Sequence, residues 1–64
     1  MESSFDIFRV EESGTLLWQG TARTLEDART RIRELVKKLH ADHVVVNLRS
    51  GVRYTIKAAE ADCA

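Results

Sequence analysis

The chain has 64 residues, 44% hydrophobic and 31% charged, with ten acidic and ten basic side chains and no proline. It is too apolar for a disordered chain, and no apolar run exceeds three residues, where a membrane span needs about 20. A single cysteine leaves no internal disulfide and no two-cysteine metal framework, and a chain this short buries only about 60% of the surface its unfolded form exposes.

The first ten residues carry Glu2, Asp6 and Arg9 where a secretion leader would need an apolar core. A single domain over 1–64 is expected, in the cytoplasm. Phe5 to Val10 is rich in aromatic and β-branched residues and predicts a strand. Glu11, Glu12, Ser13 and Gly14 read as a turn. Thr15 to Ala22 predicts a second strand, with Leu16, Trp18, Gly20 and Ala22 on one face and Leu17, Gln19 and Thr21 on the other.

Thr24 is placed to cap a helix over Leu25 to Leu39, with its hydroxyl accepting from the backbone N–H of Asp27. Leu25, Ala28, Ile32, Leu35, Val36 and Leu39 form one apolar stripe. Glu26 and Asp27 at the start, and Lys37 and Lys38 at the end, suit the helix dipole. Val44 to Arg49 and Val52 to Ala58 predict two more strands around a Ser50-Gly51 turn. Residues 59–64 are expected to fray beyond an ordered core over 5–58.

One amphipathic stripe needs an apolar layer against it. The fold class that follows is α+β: a two-layer sandwich of a four-stranded antiparallel sheet and one helix, in ββαββ order. Val44, Val46 and Leu48 are assigned to the face of Val52, Tyr54 and Ile56. The expected core is Leu16, Trp18, Leu25, Ala28, Ile32, Leu35, Leu39, Val44, Val46, Tyr54 and Ile56. The strand order stays open.

One helix covers one sheet face. The other is expected to show Leu17, Gln19, Thr21, Val45, Asn47, Arg49, Arg53, Thr55 and Lys57, with either Ile7 or Phe8. A small domain gains core by pairing, so this face or an edge strand is a candidate homodimer surface. Nucleic acid is the alternative partner. Residues 1–12 hold four acids and one base, net −3, while residues 23–57 hold nine bases and four acids, net +5. The overall pI of 6.7 is low for a nucleic-acid binder. Exposure of Trp18 beside Arg49 or Arg53 would favour that alternative, through stacking.

No constellation for catalysis stands out. His40, Asp42 and His43 bring together three possible metal ligands within four residues, but zinc sites draw ligands from separated elements and no second cluster exists beyond the lone Cys63. They read instead as a helix-end histidine, a capping aspartate and a histidine entering a strand. Cys63 sits at a chain end that holds no thiolate-stabilising environment. The three glycines are isolated and make no phosphate loop. No catalytic residue, metal, cofactor or small-molecule substrate is assigned, and the chain reads as a non-enzyme.

Phe5-Asp6-Ile7-Phe8-Arg9, Trp18-Gln19-Gly20-Thr21-Ala22 and Leu25-Glu26-Asp27-Ala28 resemble short uncharacterised bacterial proteins with a strand-strand-helix-strand-strand plan. The resemblance covers most of the chain. It implies that fold and carries over no activity and no functional residue. The expected role is a non-catalytic interaction module that self-associates.

Overall fold

The structure is a computed structural model and describes residues 4–62. In chain order the elements are β1 (Phe5–Val10), β2 (Leu16–Ala22), α1 (Leu25–Lys38), β3 (His43–Asn47), β4 (Arg53–Ile56) and α2 (Ala58–Asp62). The strands form one sheet in the order β2-β1-β3-β4, antiparallel throughout. α1 packs on one face, so the α+β two-layer architecture is as expected. The radius of gyration is 10.9 Å, against about 10.7 Å for a compact chain of this length. No helix among the described residues is long and apolar enough to cross a membrane.

The start of α1 follows its sequence signature. Thr24 is extended and its Oγ1 accepts from the Asp27 N–H at 3.0 Å. Ala28, Ile32 and Val36 are the buried rungs of the stripe, with Leu25 and Leu35 packed beside them. Leu39 is the C-cap rather than a helical rung and stays half exposed. Beneath the stripe lie Ile7, Ala22 and Val45, with Ala58 closing one end.

This core differs from the expected one in the phase of two strands, β2 and β3. Ile7 is 1% exposed and Val45 0%, and the two are direct partners across β1 and β3. Val45 therefore belongs to the core and not to the uncovered face. The reason lies in the second hairpin. Asn47 N–H donates to the Val52 carbonyl at 2.8 Å, closing a loop over residues 48–51. The Asn47 side chain holds this loop by accepting from the N–H groups of Arg49 and Ser50. A loop of even length pairs odd positions with even ones. Tyr54 thus pairs with Val45 and Ile56 with His43, while Val44 and Val46 pair with Thr55 and Arg53 on the other face.

The first hairpin turns through residues 12–14, with Gly14 at φ 90° and the Glu11 N–H donating to the Thr15 carbonyl at 2.9 Å. Further along, Phe8 pairs with Trp18 but Ile7 pairs with Gly20. Gln19 is the extra residue of a β-bulge. The bulge breaks the alternation of β2. Gly20 and Ala22 lie on the helix side, whereas Leu16 and Trp18 lie on the opposite face, away from the core they were assigned to.

The chain end also departs from expectation. Residues 58–62 form α2, with Ala58 buried and Ala61 packed on the core. Asp42 Oδ1 accepts from the Ala58 N–H at 2.9 Å and Glu60 Oε1 from the Lys57 N–H at 3.4 Å, which satisfies donors at the start of the helix. Residues 63 and 64 of the expected frayed tail lie outside the described residues, as does Cys63.

Gly20 sits at φ 150°, where L side chains are strained, although a methyl group there would meet nothing within 4 Å. Gly20→Ala is expected to cost about 1–3 kcal/mol through backbone strain alone. Urea unfolding measures it, and an unchanged midpoint would show that the bulge tolerates a side chain. Asp42→Ala is expected to cost about 1 kcal/mol by stranding the Ala58 N–H, read as a lower unfolding midpoint together with faster amide exchange confined to α2.

Candidate interaction face

The uncovered face is built by the ladder in rows. One row runs Trp18, Phe8, Val44, Thr55 from β2 to β4. The next runs Thr21, Asp6, Val46, Arg53, and Val10 pairs with Leu16 on the other side of the aromatic row. Phe8 rather than Ile7 is therefore the aromatic or aliphatic member that β1 contributes. In β1, Phe8 bonds toward β3, so the Phe8–Trp18 pair is of the closer, non-hydrogen-bonded kind across β1 and β2.

Trp18 is 61% exposed and Leu16 39%. The indole Nε1 donates to Asp6 Oδ1 at 3.4 Å, which ties the ring to the row beside it. Val44 is nearly sealed by its neighbours, and Phe8, Val10 and Val46 are half-buried. Four strands about 4.8 Å apart and about five residues long span roughly 300 Å² of flat surface. Within it Leu16, Trp18, Phe8, Val10, Val44 and Val46 form one contiguous apolar patch, a feature that is often functional on a monomer.

The residues singled out from sequence divide. Arg53 and Thr55 lie on this face, at its β4 edge. Leu17 shares the row of Arg9 and His43 on the helix side, half-buried. Gln19 is the bulge residue, and its Nε2 donates to the Leu17 carbonyl at 3.2 Å. Val45 is core and Asn47 organises the hairpin loop. Arg49 is exposed in that loop, and Lys57 is exposed between β4 and α2. The face is thus less basic and more aromatic than expected. Its cations sit on the β4 side, three strands or about 14 Å from Trp18.

His40, Asp42 and His43 do not converge. His40 is exposed, Asp42 holds the start of α2, and His43 points into the helix side, 1% exposed. Among the described residues no three His, Cys, Asp or Glu side chains gather as a metal site. His43 Nδ1 lies 3.0 Å from the Ala41 carbonyl, so it carries the proton and donates. Nε2 is buried and has no partner. Burial pushes the imidazole below its usual value near 6.5, aided by the Arg9 charge and opposed by the Ala41 bond and Asp42.

No family model, curated protein or solved structure matches the chain.

The native state holds His43 neutral more strongly than the unfolded chain does. Its contribution to stability is therefore complete above about pH 6.5 and is lost as pH falls from there toward the folded-state value. Urea titrations between pH 8 and 5 should show a steeper acid-side loss for the native chain than for His43→Leu. Parallel curves for the two would remove His43 as the cause.

Proposed function

We propose that this chain is a non-catalytic interaction module that self-associates through the uncovered sheet face. The observation that carries this reading is Trp18. It stands 61% exposed beside Phe8 and Leu16, on the sheet face that neither helix covers. A second copy fits the requirement for a partner. Two such sheets stacked about 10 Å apart would bury the same rows on both sides and supply the layer each chain lacks.

Charge supports the same partner. The face carries Asp6 and Arg53 in one row and is otherwise neutral, so a two-fold pairing of copies brings no block of like charges together. Nucleic-acid binding through this face is less favoured. Stacking needs the aromatic ring and the cations side by side, and here they occupy opposite edges. Two such faces would bury roughly 600 Å² in total, about half of the smallest standard interface, so the dimer is expected to be weak and reversible, forming at roughly 100 µM.

Trp18 is the only tryptophan, so its emission reports on this face directly. Raising the concentration from about 5 µM to 1 mM should double the mass in sedimentation equilibrium, with a blue shift of the emission. Trp18→Ala should remain monomeric with little change in its unfolding midpoint. A strict monomer at 1 mM for the native chain overturns the reading.

A further inference from the structure

A second surface lies on the helix side, between α1 and the free edge of β4. There a groove of about 360 Å³ opens. Leu25, Ile56 and Ala61 supply its apolar floor, and Arg29, Arg33 and Tyr54 stand around it. Arg29 and Arg33 are four residues apart, so they are neighbours on the helix surface, about 6 Å apart. Two like charges at that spacing disfavour the helix unless an anion lies between them.

Of the acidic groups nearby, Glu26 lies one turn before Arg29 without pairing to it, and the others are engaged elsewhere. Asp27 pairs with Arg31 at 3.5 Å and Glu34 with Lys37 at 3.5 Å. Glu60 also lines the groove, but its Oε1 accepts from the Lys57 N–H. Among the described residues neither Arg29 nor Arg33 has a carboxylate within ion-pair distance.

The strand beside the groove is unpaired on its outer side. The Asn47–Val52 bond sets the hydrogen-bonding phase of the hairpin, so Tyr54 and Ile56 bond inward to β3. The N–H and C=O groups of Arg53 and Thr55 then point outward, with no strand beyond them. An extended peptide laid there would gain main-chain bonds from Thr55 and Arg53. Alternate side chains would drop toward Arg29 and Arg33.

We propose that the β4 edge and the adjoining groove bind an extended acidic segment of a partner protein by strand addition. The charge of the surface selects this occupant. Arg29 and Arg33 line the groove against Glu60, and β4 begins at Arg53 and is followed by Lys57, so a second β4 edge, bringing the same cations, would be repelled. The site lies across the sheet from Trp18 and does not depend on self-association.

The test is a ¹⁵N NMR titration of the full chain, native and Trp18→Ala, with the blocked hexapeptide acetyl-(Glu-Val)₃-amide. Shifts are expected at the Arg53 and Thr55 amides and on α1 around Arg29 and Arg33, in both chains. The lysine counterpart, acetyl-(Lys-Val)₃-amide, should bind at least about tenfold more weakly. The double variant Arg29→Glu with Arg33→Glu, both exposed positions, should reverse that preference while its circular dichroism stays native. Three results would each overturn the proposal: no shift at Thr55 at millimolar peptide, equal binding by an acidic peptide N-methylated at alternate residues, or tighter binding of a mixed-sequence single-stranded oligonucleotide at the same residues.

Discussion

Ile7 and Val45 face each other across the two central strands, both sealed beneath Ile32 and its neighbours on α1. Wherever the ladder is regular, the side of each strand residue follows from that pair. A ladder has period two, so one sealed partner pair assigns each strand an inside and an outside. Ala22 follows Ile7 inward through β2, and Ile56 follows Val45 inward through β4. The outside then receives Phe8, Val44 and Val46, which are as apolar as the residues inside. Burial of these groups is worth roughly 25 cal/mol per Å² wherever it occurs. α1 and α2 lie on the helix side only, so the second apolar set has nothing of its own chain to pack on.

The bulge at Gln19 increases that imbalance. With regular alternation along β2, Leu16 and Trp18 would point the same way as Ala22, toward the helix. The extra residue turns them outward and sets Trp18 opposite Phe8. Gly20 makes the turn in the backbone at φ 150° without strain. Bulges often re-aim a side chain at a functional place, and the side chain re-aimed here is the most exposed large apolar group among the described residues. The polar chemistry has gone elsewhere. Arg29 and Arg33 look across α1 toward β4, and Arg53 and Lys57 lie along or just beyond that strand. The molecule has one apolar face, centred on β2 and β1, and a concentration of cations around the β4 edge of the same sheet.

α2 and His43 show how a small core is finished. The sheet ends near Ile56, and the chain folds back so that Ala58 and Ala61 close the end of the cluster. Asp42, in the connection between α1 and β3, reaches the first N–H of α2 and holds it there. His43 follows immediately and spends its Nδ1–H on the Ala41 carbonyl, which leaves Nε2 unpaired in the interior. An orphaned buried acceptor has a cost. It is tolerated at a position whose backbone is needed to pair with both Arg9 and Ile56.

Much of this was legible from residues alone. Thr24 with Asp27 marked the helix start, the stripe through Ala28, Ile32 and Val36 marked its buried side, and the alternating runs marked four strands and an α+β sandwich. Those signals are local, carried by spacing within one element. The even loop length was a further local signal. It already implied that Val45, not Val44, shares a face with Ile56, and the alternation read across the hairpin missed it. Val44-Val45-Val46 gives no phase of its own because all three are equally apolar. The rest needed the tertiary structure. The strand order, the bulge that sends Trp18 outward, the docking of α2 by Asp42, and the meeting of Arg29 and Arg33 with the edge of β4 each depend on residues far apart in sequence, and only packing decides which of them meet.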